Sequence, residues 1–386
     1  MNPNRLRYLI EGVIMLAVLA LQGQLSRWLL VELAWFRGSR LGRLAIWTAN
    51  GLVALWLGAT LVSTTGRAMM WFPRWSWLQW NVGMAIGWAM FLCGVFPLVF
   101  LLRRLPPMDP SRRKLLRAAH AAAVAAPLAV IGFGIAVSRQ RFELKEVEIA
   151  IPGLPKDLDG LRLAQLTDIH LGPFLSNSEL ARVVGMANET RPHVALVTGD
   201  LISVRGDPLD DCLRLLAGLR AEAGILGCLG NHENYTNALA YATDAGARLG
   251  IEFLRTRGRK LRFGNSILNI AGVDYLAGRE PRLPAASGLV APGAVNVLLS
   301  HNPNAFPSAA RRGFDLTISG HTHGGQVTME VLSEAVTLIR FVTPYVQGLF
   351  RDGPAALYVS RGIGTVGVPA RIGARPEVTL IRLCAI

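Results

Sequence analysis

The sequence predicts an α/β domain behind an N-terminal helical transmembrane module, with the division expected between 1–140 and 141–386. Three observations predict it. Residues 8 to about 137 hold long apolar segments with few acids, each close to the ~20 residues a helix needs to cross a bilayer. From about residue 150 the composition turns ordinary, and strand, loop, helix and strand repeat three times, the pattern of an α/β fold. Of the 7 histidines, His170, His232, His301, His321 and His323 each follow an apolar run that reads as a strand.

The chain has 386 residues, 51% hydrophobic and only 17% charged. Four apolar segments are expected to cross: Tyr8 to Leu25, Leu44 to Val62, Val82 to Leu102, and Ala118 to Val137. A Trp- and Leu-rich stretch, Arg27 to Phe36, is expected at the interface, as are Trp71, Trp75, Trp77 and Trp80 between the second and third segments. Lysine and arginine are in excess in the first and third connections, which the positive-inside rule places in the cytoplasm. With four crossings the catalytic-sized domain then lies outside. Ser111 to Arg117, SRRKLLR, precedes an alanine-rich segment and is similar to an internal twin-arginine export signal.

The net charge of +14 would suit a nucleic-acid binder. Many arginines, however, flank the apolar segments, and no basic patch interleaved with aromatics stands out. No specific nucleic acid is expected; the lipid bilayer is the expected partner. The four cysteines, Cys93, Cys212, Cys228 and Cys384, are scattered without CxxC spacing. They suggest neither a disulfide framework nor a thiolate cluster.

The second part reads element by element. Phe142 to Ile149 alternates and reads as an edge strand. Leu161 to Leu166 is a short strand followed by TDIHLG, and Asn177 to Asn188 is a helix with apolar Leu180, Val183, Val184 and Ala187 on one side. Val194 to Val197 is a strand followed by TGDLI, and Pro208 to Leu219 a helix. Gly224 to Leu229 is a strand followed by GNHEN, and Thr236 to Leu249 a helix. Strands follow at Ile267 to Val273, Ala294 to Leu299, Phe314 to Ile318, Ala355 to Val359 and Val378 to Cys384. Arg279 to Pro292 reads as a surface excursion.

The chemistry collects after the strands, where α/β sheets keep their sites. Asp168 and His170 follow the first strand of the repeat, Asp200 the second, and Asn231 and His232 the third. His301 follows a later strand. His321 and His323 follow the last, within SGHTHGGQ. Carboxylate, imidazole and amide oxygen suit Mn, Fe or Zn. With His232 set aside, seven ligands are too many for one transition metal. They fit two ions about 3.5 Å apart sharing one carboxylate, for which Asp200 is the natural bridge. Such a pair clamps a phosphoryl group and acidifies a bridging water.

The ordered blocks DIH (168–170), GD (199–200), GNHE (230–233), SH (300–301) and GHTH (320–323) resemble those of the calcineurin-like metallophosphoesterases. With SRGIG (360–364) and RPE (375–377), the chain is similar to the membrane-associated subgroup that includes YkuE-like and YaeI-like phosphoesterases. The resemblance covers roughly residues 160–386. It implies a sandwich of two mixed β-sheets flanked by helices, and a centre of two divalent or mixed-valence ions. It assigns Asp168, His170, Asp200 and His323 to one ion, and Asp200, Asn231, His301 and His321 to the other. His232 would contact the substrate phosphate and serve as general acid. Glu233 would orient a histidine or cap the following helix, Asp274 would be structural or support a metal ligand from behind, His193 would be unrelated, and Arg361 near substrate.

The function expected is hydrolysis of a phosphate ester by a multi-pass membrane protein, with a lipid-linked or envelope-derived substrate. The alternatives are UDP-2,3-diacylglucosamine pyrophosphate hydrolysis on the cytoplasmic face and a nuclease-type phosphodiesterase. A transport protein is disfavoured, because the membrane half lacks paired intramembrane acids and a repeated half.

Overall fold

The computed structural model describes residues 3–32, 38–63, 76–103, 122, 125–285, 288–331 and 334–385. The chain divides into two compact units, Met1–Phe133 and Gly134–Ile386.

The first unit is helical: α1 Pro3–Glu32, α2 Arg40–Ser63 and α3 Ser76–Arg103. Among the described residues, two stretches are long and apolar enough to cross a membrane, Val13–Val31 and Gln79–Pro97. Only 22% and 28% of them are buried. A core helix of a soluble protein hides most of such a stretch, because water drives its apolar face inward. Here Leu16, Trp47 and Leu52 face outward, while Val18, Trp28, Leu57, Phe91, Leu92 and Val95 pack together.

The four-segment expectation is thus met in part. Leu44 to Val62 lies within α2. The fourth segment corresponds to a shorter apolar helix, α4 Ala125–Gln140; most of its first residues, and SRRKLLR, lie outside the described residues. Arg27 to Glu32 continue α1 instead of forming a separate interfacial piece. Trp77 and Trp80 belong to the first turns of α3, and Trp71 and Trp75 lie outside the described residues.

The second unit is built on two six-stranded sheets. The first contains β1 Glu143–Ile151, β2 Arg162–Leu166, β3 Val194–Thr198, β4 Ile225–Cys228, β5 Ile251–Phe253 and β14 Glu377–Ala385. Its order is β1-β14-β2-β3-β4-β5, with β2 through β5 parallel and β14 antiparallel to β2. The second contains β6 Arg257–Phe263, β7 Ser266–Gly272, β8 Val295–Leu299, β9 Leu316–Ser319, β12 Gly348–Asp352 and β13 Ala355–Val359. Its order is β12-β13-β9-β8-β7-β6, parallel from β7 to β13 with an antiparallel strand at each edge. A short hairpin, β10 Met329–Val331 and β11 Glu334–Val336, stands apart.

Both faces of the central strands are covered, so these strands are runs of apolar residues. Leu163, Leu196, Leu226, Leu268, Val297 and Ile318 meet in one core shared by the two sheets. Their neighbours Ala164, Ala195 and Ile225 point the other way, into a second core under the helices. The helix α5 Asn177–Glu189 starts at a capping box between Ser176 and Glu179 and buries Leu180, Val183, Val184 and Ala187, one stripe at helical spacing. The helices α6 Leu209–Leu216 and α8 Leu239–Arg248 pack on the same core; between them α7 Asn231–Tyr235 is a separate short helix, where the spacing had suggested only one later helix. The helix α9 Phe306–Arg311 covers the second sheet. The expected surface excursion between Arg279 and Pro292 instead buries Leu283, Leu289 and Ala291 against that sheet's outer face.

Candidate metal centre

The carboxyl ends of β2, β3, β4, β8 and β9 converge, and the loops leaving them carry all eight expected residues. Three clusters result, each with ligand atoms within 4.8 Å of one another: Asp168, His170 and His323; His170, Asp200 and His232; Asp200, His301 and His321. His170 Nε2 stands 3.2 Å from His323 Nε2 and 3.6 Å from Asp200 Oδ2. His323 Nε2 is 3.4 Å from Asp168 Oδ1, and His301 Nε2 is 3.0 Å from Asp200 Oδ2. His232 and His321 are partly open to solvent, while the other histidines of the group are buried.

The backbone is bent to deliver these side chains. Asp168, His170, Asp200, His321 and His323 all have positive φ, a conformation that costs energy in non-glycine residues and gathers at functional sites. Two glycines allow the loops to close in. A Cβ on Gly230 would strike the Asp200 carboxylate, and one on Gly320 would strike Asp168 and Thr167.

Hydrogen bonds behind the ring nitrogens set which atom faces inward. His301 Nδ1 donates to the Thr198 carbonyl at 2.7 Å, and His232 Nδ1 to the Ser203 carbonyl at 2.6 Å. A carbonyl only accepts, so both Nδ1 atoms carry the proton and Nε2 turns to the centre. Ser203 Oγ lies 3.0 Å from His170 Nδ1. One serine therefore steadies two histidines, and nothing in the sequence pattern marks it.

The donor set fits a cation. Burial pushes His170 down to about 3 and His321 to about 4, and holds His323 well below its usual value; the rings are neutral with free lone pairs. Burial would raise Asp200, but His301, His170 and His232 hold it far below the usual carboxylate range. Burial pushes Asp168 up to about 6. For His301, burial works downward, but the Asp200 carboxylate outweighs it and lifts the ring to about 10. The protein alone thus demands positive charge between His301 and Asp200. Asn231 Oδ1 is also buried without a hydrogen-bond partner. An orphaned buried oxygen acceptor is what a metal ion satisfies.

Glu233 does not orient a histidine. It is fully buried, and its carboxylate accepts from the backbone N–H groups of Gly230, Asp200 and Leu201, capping α7 and tying its start to the Asp200 loop. Arg361 pairs with Glu377 at 2.6 Å and with Glu143. Asp274 forms a two-pronged pair with Arg255, and His193 accepts from the Arg162 N–H at the far end of the strands. Arg371 was not anticipated. It is fully buried, and its guanidinium donates to the carbonyls of His323, Arg361, Gly364 and Ala374 while facing His323 Nδ1 at 3.4 Å.

Residues 161–325 match the family model for the calcineurin-like phosphoesterases. The chain is 34% identical over 275 residues to the transmembrane protein with metallophosphoesterase domain of Danio rerio, covering 67% of this chain and 61% of that protein. It is 30% identical to the Bos taurus protein of the same name, covering 80% of this chain and 67% of that one. It is 29% identical to the metallophosphoesterase YkuE of Bacillus subtilis, covering 71% of this chain and 97% of that one. The chain belongs to the calcineurin-like metallophosphoesterase superfamily. Its catalytic unit is that of a metal-dependent phosphoesterase, with the ligand clusters of a two-metal centre in place.

Proposed function

We propose that this chain hydrolyses phosphate esters at a membrane, using two divalent or mixed-valence ions drawn from Mn, Fe or Zn. The observation that carries the reading is three overlapping clusters of candidate ligands, two of which share Asp200 and one of which includes partly open His232. Asp168, His170, Asp200 and His323 would hold one ion, and Asp200, Asn231, His301 and His321 the other. When bound, the two cations neutralise charge on the phosphoryl oxygens and acidify water between them.

The chain's own residues do the rest. Ser203 and Thr198 hold the histidine rings in the orientation that presents Nε2. His232, with Nδ1 already committed to Ser203, has Nε2 free to carry the transferable proton. The oxygen of water bonds to phosphorus and releases its proton to solvent. The bond to the leaving oxygen breaks with its electron pair, and that oxygen collects the proton of His232.

The exposed apolar helices favour a lipid-linked or envelope-derived ester, met at the bilayer surface. With four crossings the basic connections put the catalytic domain outside. With only Val13–Val31 and Gln79–Pro97 crossing, the same rule puts the basic flank after Arg103, and the domain with it, in the cytoplasm. That second arrangement favours cleavage of a UDP-2,3-diacylglucosamine-type pyrophosphate. Protease accessibility in spheroplasts decides between them.

The catalytic test is a screen of detergent-solubilised protein, reconstituted with each metal, against lipid and nucleotide phosphates. Asp200→Asn is expected to abolish turnover, because one substitution touches both ions. A folded D200N protein with near wild-type turnover would sink the two-metal reading.

A further inference from the structure

We propose that Tyr235 and Tyr275 form an aromatic subsite that takes a flat ring carried on the leaving arm of the phosphate ester; this rests on the hydrolytic reading above. The chain has 6 tyrosines. Tyr345 and Tyr358 pack into the apolar clusters of the fold, whereas Tyr235 and Tyr275 belong to none of them. These two stand together at the edge of the metal centre. Tyr235 follows His232 by three residues on α7, which puts both on one helix face, and the ring centroids are 5.8 Å apart. Tyr275 comes from the loop after β7, with its ring 5.5 Å from His321 and 6.3 Å from His301. The two tyrosine rings are 6.5 Å apart and inclined at 73°. Tyr235 is 69% exposed and Tyr275 half-buried.

Their position selects the leaving arm. The proton for the leaving oxygen comes from His232, and Tyr235 stands beside it, so the alcohol that departs lies against the tyrosines. Their chemistry selects a ring. Arg361 and Arg371, behind the first cluster, are committed to Glu377, Glu143 and backbone carbonyls. Neither offers its charge to a second phosphate. Beside His232 the rings of Tyr235 and Tyr275 offer aromatic faces, which stack on planar groups with little regard to their edge chemistry. A nucleobase and a simple aryl group both meet this requirement.

The test uses full-length, manganese-loaded protein in detergent and three methyl phosphodiesters whose second alcohol is ethanol, benzyl alcohol or the 5′-hydroxyl of adenosine. All three alcohols are primary, so intrinsic reactivity is similar. Tyr235→Ala and Tyr275→Ala are expected to lower the benzyl-to-ethyl ratio of kcat/KM at least about fivefold, the low end of what one stacked base contributes. Tyr235→Phe and Tyr275→Phe, which keep the rings, are expected to hold that ratio within about twofold. A parallel fall for adenosine assigns the subsite to rings in general, and a fall confined to adenosine assigns it to nucleobases. Benzyl-to-ethyl and adenosyl-to-ethyl ratios both unchanged in the two alanine variants overturn the proposal, as does an equal collapse in the phenylalanine variants. Calorimetry with benzylphosphonate and ethylphosphonate reads the same preference without turnover. Preferred binding of benzylphosphonate with no hydrolysis of any ester would overturn the hydrolytic reading and leave the subsite standing. Hydrolysis with no preference would overturn the subsite alone.

Discussion

Arg371→Met removes the guanidinium that ties the His323 loop to the terminal glycine-rich loop. The side chain is fully buried, and among the described residues it makes no ion pair. Its fork instead satisfies four carbonyls. One of them, His323 O, keeps a bond from the Gln326 N–H. The carbonyls of Arg361, Gly364 and Ala374 are left exposed to an apolar side chain. Each orphaned acceptor costs about 1–3 kcal/mol, and relief of the buried charge's own desolvation offsets part of the sum. The expected net loss is about 3–5 kcal/mol, a large share of the roughly 5–15 kcal/mol that holds a domain together. Arg371→Lys keeps the charge but not the planar fork, and an intermediate loss is expected. All 9 tryptophans lie before residue 90, so tryptophan fluorescence reports on the N-terminal unit. Pulse proteolysis of the catalytic domain across a urea series is the appropriate assay. A Met variant within about 1 kcal/mol of the parent would refute this account, because satisfying three buried carbonyls cannot be that cheap.

The remaining predictions concern the metal centre. Ser203→Ala removes the hydroxyl behind His170 but keeps the carbonyl behind His232; metal affinity is expected to fall about 10- to 100-fold, the usual effect of losing an outer partner of a ligand, with unfolding little changed. Unaltered affinity by calorimetry would show that Ser203 does not orient the ring. Chelation followed by titration with Mn²⁺ should stabilise the catalytic domain by about 2.7 kcal/mol when free metal reaches 100 times Kd. A midpoint insensitive to metal would mean that the clusters do not bind it in the folded state.

Much of this protein was legible before folding. Apolar runs ending in Asp168, Asp200 and Asn231 located β2, β3 and β4, because strands covered on both faces must be continuously apolar. The same placement brought the histidines to one end of the sheets, since loops at the carboxyl ends of parallel strands gather there. Short elements escaped. Ile251–Phe253 and Gly348–Asp352 are too brief or too polar for periodicity to register. Their pairing is supplied by the strands beside them.

The sequence by itself marked an apolar N-terminal part, the α/β order of the rest and the side chains that the loops bring together. These follow from composition, period and spacing, all local properties. Only the tertiary structure decided that Ser203 backs two histidines, that Glu233 knits two loops instead of orienting a ring, and that Arg361 pairs with Glu143 across 218 residues. It alone put Tyr235 beside Tyr275 and Arg371 behind His323. A hydrogen bond or a ring contact depends on distance in space, and residues far apart in the chain carry no local mark of the partner that folding brings to them.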